Sequence, residues 1–207
     1  MLWVYEKVYL PDVFSAEFLA LPERFPPLSE RLRNRSAGQM RSMLSVTGEY
    51  SRYSRRDDMI LRELLRRGLT VEEFGALLIP AQAEDFRVRL RAVSLARAMV
   101  GLGKIPQLET LVSATLASLD PTVPRSVLAA EGLLSELRRN EEINLLGTAC
   151  HLLDQKRFVD PALDYIAVRG HNPADETCVR NANLGPAFDA HRDVVLRIMR
   201  GQRLLQH

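Results

Sequence analysis

The sequence predicts an all-α protein in which short helix pairs stack as an α-solenoid or an irregular helical bundle, with a short extended N-terminal arm. Three observations carry this expectation. Apolar residues recur at three-and-four spacing along most of the chain. Proline tends to stand just inside the start of these stretches and glycine just past their ends, the asymmetry that helix termini require. A strand pattern is confined to residues 3–10, WVYEKVYL, where aromatic and β-branched residues run up to Pro11.

Taken in order, that strand-like stretch is expected to lie as an arm over a helical body or to add to a partner's sheet edge. From Asp12 to Arg35 the pattern turns helical, with a break at Pro26-Pro27. In residues 36–56, Met40, Met43, Leu44 and Val46 support a short helix, while Gly48 and the Ser/Tyr/Arg run after it read as a loop. Asp57 or Asp58 is placed to cap a helix that ends at Gly68, and Thr70 with Glu73 three residues on spells a capping box, with Pro80 as the stop.

Residues 90–121 organise the rest. Val93, Leu95, Ala96 and Met99, then Leu108, Leu111, Val112, Thr115, Leu116 and Leu119, form two helical stripes punctuated by Gly101, Gly103 and Pro106. Beyond them Pro124 opens a helix, Asn140 caps the next from Glu141, Asp160 and Pro161 open one closed by Gly170, and Asn172 and Pro173 open one closed by Gly185. Pro186 opens the last, closed by Gly201. A helix pair of this size cannot bury its apolar face alone and needs neighbours of the same kind. Starts at Val71, Pro106, Glu141 and Pro173 are spaced by 35, 35 and 32 residues, in the range of helix-turn-helix solenoid units. The domain reading is an N-terminal part, 1–56, of arm, helices and arginine-rich loop, followed by a helical-repeat part, 57–207, in one continuous body.

Leu95-Ala96, the corner Gly103-Lys104, Leu108 and the closing Pro121 together resemble a degenerate tetratricopeptide unit. A second such fragment has Leu146-Gly147, Phe158 after its corner, and the proline of His171-Asn172-Pro173 at its end, with Pro161 and one extra residue shifting its register. Residues 120–137 and 175–184 resemble HEAT units equally well. Over the C-terminal 120 residues this likeness implies a curved surface that binds another protein.

Composition narrows the function classes. With 46% hydrophobic and 26% charged residues the chain is ordinary for a folded soluble protein, and a formal net charge of +2 argues neither for nor against nucleic acid. Of the 28 basic residues only Lys7, Lys104 and Lys156 are lysine, which reads first as the imprint of a GC-rich bacterial genome. No stretch approaches the ~18 apolar residues of a membrane span. The N-terminus lacks a basic, apolar, cleavable leader, and Cys150 and Cys178 lack CxxC spacing, so a cytoplasmic protein with two free thiols is expected.

The candidate binding residues lie in the N-terminal third. Between Arg31 and Arg67 ten arginines face Glu49, Asp57, Asp58 and Glu63, with Tyr50 and Tyr53 among them. Arg52, Tyr53, Arg55 and Arg56 are the residues expected to contact a partner. The plain reading of the stretch is a solvated helix face and a loop; arginine for phosphate and tyrosine for stacking is also the pairing of single-stranded nucleic acid binding, so a nucleic-acid-binding helical protein using residues 31–67 is the alternative, behind a protein partner. Cys150, His151, His171, Cys178, His191 and His207 lack the close ligand pairs of structural zinc sites, and no metal or cofactor is expected. His191-Arg192-Asp193 matches the kinase catalytic-loop tripeptide without its asparagine, glycine-rich loop or DFG. It reads as a helix with a Val194, Val195 and Ile198 stripe. His151 and Asp154 could form an acid–base pair, and with His171 and His191 they make the enzyme reading. The expected function is nonetheless non-catalytic: an adaptor, scaffold or secretion-type chaperone holding a protein or peptide segment.

Overall fold

A computed structural model describes residues 32–49, 55–81 and 83–204, in which every regular element is helical. The extended arm at 3–10 and the helical pattern of residues 12–31 lie outside the described residues. Ten α-helices follow: α1 (Ala37–Glu49), α2 (Arg55–Arg66), α3 (Val71–Leu78), α4 (Asp85–Leu102), α5 (Pro106–Ser118), α6 (Pro124–Leu137), α7 (Leu146–Leu152), α8 (Val159–Arg169), α9 (Pro173–Asn181) and α10 (Asp189–Leu204).

Local chemistry sets the ends. Thr70 Oγ1 accepts from Glu73 N at 3.2 Å while Glu73 Oε2 accepts from Thr70 N at 3.2 Å, the expected capping box before α3. Asn172 and Asp175 make the same reciprocal pair before α9, at 3.0 and 3.2 Å. A third, Ser36 with Gln39, starts α1. Pro106, Pro124 and Pro173 each occupy the first helical position, where no N–H is needed. Gly103 turns the chain from α4 to α5 with φ of 72°, a conformation that a Cβ would strain.

Several expected boundaries move. α1 runs through Gly48, and Arg55 and Arg56 form the first turn of α2 rather than the end of a loop, so Asp57 and Asp58 lie inside the helix and not at its cap. Asn140 does cap, but what it caps is a turn: its Oδ1 accepts from Glu142 N at 2.9 Å and Ile143 N at 3.0 Å. The helix expected from Glu141 starts only at Leu146. Residues between are held by the buried Tyr165, whose hydroxyl accepts from Leu145 N at 3.0 Å and donates to Ile143 O at 3.3 Å. Burial pushes that phenol's pKa up. The starts of α3, α5, α7 and α9 are therefore 35, 40 and 27 residues apart. Gly170 closes α8 without positive φ; a Cβ there would stand 2.8 Å from both Ile166 O and Met199 Cε, so the glycine serves close approach of α10. Gly201 lies within α10.

The helices pack in two rows. α2, α4, α6, α8 and α10 lie side by side in that order, and α1, α3, α5, α7 and α9 form the second row. Across the rows α1 packs on α2, α3 on α4, α7 on α8 and α9 on α10. A single apolar core runs between the rows, from Met40 and Ile60 through Phe74, Met99 and Leu133 to Phe158. Within the first row, contact is most extensive between α4 and α6, where Gly132 removes the side chain that would collide with Arg89 O and Ala92 Cβ. In the second row, Cys150 of α7 and Cys178 of α9 form a disulfide, with Cα atoms 5.9 Å apart. The expected free thiols are thus corrected: half-buried on adjacent helices, the two sulfurs meet although 28 residues separate them.

Candidate functional site: a basic groove on α2

The periodicity of α2 divides its surface. Ile60, Leu61 and Leu64 are buried in the core. Met59, Arg62, Glu63 and Arg66 recur at the same three-and-four spacing on an adjoining stripe that faces outward. Opposite this stripe runs the short segment that carries Leu32 and Arg33. Together these six residues line an open groove of about 440 Å³. Its apolar part is Leu32 and Met59, and its rim is arginine.

Arg67 fixes the facing wall. Its guanidinium donates to the carbonyl oxygens of Arg35 at 2.7 Å, Leu32 at 3.1 Å and Arg33 at 3.2 Å, while its Nε donates to Glu63 at 2.7 Å. Arg66 forks onto the same carboxylate at 2.7 and 2.8 Å. These hydrogen bonds, from Arg66 first and then Arg67, outweigh partial desolvation and hold the Glu63 carboxyl down at about 2. Glu63 is therefore an anion already engaged. Among the described residues Arg62 reaches the carbonyl of Leu102 at the C-terminus of α4, at 3.4 Å. Among the described residues no carboxylate lies within ion-pair distance of Arg33 or Arg62, so of the described charges theirs are the ones in the groove without an acidic partner.

Of the expected contact residues, Arg52 and Tyr53 lie outside the described residues, and Arg55 and Arg56 stand in the first turn of α2. Arg33, Arg62 and Arg66 belonged to the arginine-rich stretch but were not singled out in it. The signal that would have found two of them is the Met59, Arg62, Glu63, Arg66 stripe.

The other candidates disperse. His151 and Asp154 are both exposed, and no hydrogen bond joins their side chains. His171 lies before α9, its backbone N–H donating to Asp175 at 3.1 Å. His191 turns to α8 instead, with Nδ1 2.9 Å from Asp160 and Nε2 3.2 Å from Asp164. Among the described residues no three His, Cys, Asp or Glu side chains converge as a metal site would need. The stripe expected on α10 is corrected: Val195, Leu196 and Met199 are buried, whereas Val194 and Ile198 are exposed. No helix among the described residues is long and apolar enough to cross a membrane. Compared with known proteins, the chain matches no family model, no curated sequence and no solved structure.

Proposed function

We propose that this chain is a non-catalytic protein–protein interaction adaptor, of helical-repeat class, that seats a segment of another protein in the groove on α2. The observation that carries the reading is the groove itself: an apolar floor of Leu32 and Met59 inside a rim of Arg33, Arg62 and Arg66. Burial of an apolar anchor would supply affinity there, and rim charges would set partner choice and association rate. The two-row stack supports the reading because it leaves α2 braced by α1 and α4, so the site is carried on a rigid scaffold.

The cytoplasmic placement expected from the sequence rested in part on free thiols. With Cys150 joined to Cys178 that support is removed, since such bonds persist mainly in oxidising surroundings. An affinity pull-down from the native host, at low and moderate salt and with nuclease treatment, tests the adaptor reading. Recovery of a discrete protein after nuclease is the expected result. Recovery of nuclease-sensitive material alone would replace the reading with nucleic-acid binding.

A further inference from the structure

We infer that the groove takes an acidic peptide segment: one Leu-, Met- or Phe-sized anchor flanked by Asp or Glu. The inference rests on the adaptor reading and names the chemistry of its partner. Charge complementarity is its first argument. Glu63, the carboxylate in the lining, is already held by Arg66 and Arg67, while Arg33 and Arg62 face the opening with no carboxylate among the described residues. A concave site with one sign of charge over low-dielectric walls focuses its field on an incoming anion. A guanidinium also matches a carboxylate in planar, bidentate geometry.

The floor supplies the second argument. Met59 is half-buried and packs against the core, with the buried Leu32 behind it, so the apolar surface at the bottom of the groove is that of Met59. A phosphate or a nucleotide backbone gains nothing from such a floor. Among the described residues the lining includes no aromatic side chain on which a base could stack, the feature that single-strand binders rely on. An apolar side chain does gain, and the flexible thioether of Met59 can adapt to its shape. The volume of about 440 Å³ lies within the ~300–1,000 Å³ typical of binding pockets.

Selection from a random-peptide display library against the immobilised full chain tests this. The enriched peptides are expected to share an apolar residue between acidic ones, and a synthetic copy should lose about tenfold or more in affinity for an Arg33→Glu/Arg62→Glu variant. Both residues are exposed and Arg62 gives up one long hydrogen bond to Leu102 O, so the variant should still unfold in one cooperative transition, a few degrees below the wild type at most. A Lys-for-Glu copy of the peptide should then bind the variant better than the wild type. Enrichment of peptides without acidic residues, or acidic peptides indifferent to the charge reversal, would overturn the partner class and leave the adaptor reading standing. Failure of any peptide to enrich, in a library that yields binders to a control protein, would overturn both.

Discussion

Arg67 donates from its Nε to Glu63 over 2.7 Å and with the rest of the same guanidinium holds the backbone of residues 32–35. A side chain from the end of α2 thus fixes a wall of the groove without lining it. Arg67→Ala should cost about 1–2 kcal/mol in denaturant unfolding, since it removes several hydrogen bonds made by one charged donor. It should also weaken peptide binding although Arg33, Arg62 and Arg66 all remain. Arg67→Lys, which keeps the charge but not the fork, should fail to restore the wall. Restored affinity in the lysine variant would show that charge, not placement, is what Arg67 supplies.

Glu63 links the groove to acid stability. Its carboxyl is held at about 2, below the 4.5 of an unperturbed glutamate, so the unfolded chain binds the proton more readily. The stabilisation is fully present above pH about 4.5 and is lost as pH falls through about 2. Chemical unfolding from pH 6 down to pH 2 should therefore show the gap between wild type and Glu63→Gln closing across that window. A constant gap would mean that Glu63 contributes through packing alone.

Two glycines in helices should respond oppositely to alanine. A Cβ at Gly132 would fall 2.6 Å from Arg89 O and 2.7 Å from Ala92 Cβ, so Gly132→Ala should destabilise by about 2 kcal/mol as the α4–α6 crossing is forced apart. Gly147 in α7 has nothing within 4 Å, and Gly147→Ala should be neutral or gain up to about 1 kcal/mol from helix propensity. Thermal and denaturant unfolding of the two variants in parallel checks both signs.

The disulfide between Cys150 and Cys178 closes a loop across a separation of 28 residues. Restricting the unfolded chain in this way is worth about 3.5 kcal/mol on the loop-entropy argument. A reductant, or the Cys150→Ser/Cys178→Ser variant, should lower the unfolding free energy by that order. Alkylation of thiols in intact host cells, read by mass spectrometry, should find the pair protected. Full labelling without reductant would show that the bond is not formed in the cell.

Much of the fold was legible because its signals are local. The Thr70–Glu73 box, the prolines at 106, 124 and 173, and the stripes of α4 and α5 each depend on residues within a few positions. What the sequence concealed depends on distant partners. Ile143 and Leu145 look like part of a helix, yet Tyr165, some twenty residues on, takes their backbone groups and holds them outside one. Gly170 does close α8 as its position suggests, but the crowding by Ile166 O and Met199 Cε that excludes a Cβ there shows only in the packing. The cysteines lack any spacing signal, and their meeting follows from α7 and α9 being neighbours in one row. The groove was half legible: the wealth of arginine was plain, but which of them line a cavity depends on Arg67 drawing residues 32–35 against α2.

The central claim is that the groove on α2 holds a protein segment, and site-directed photocrosslinking tests it most directly. A photoreactive amino acid replacing Met59 in the full chain, irradiated in the native host, should give a discrete nuclease-resistant protein adduct. The same probe at Val168 on α8 should not give that adduct. An adduct that disappears with nuclease, or one that forms equally from both positions, would contradict the account.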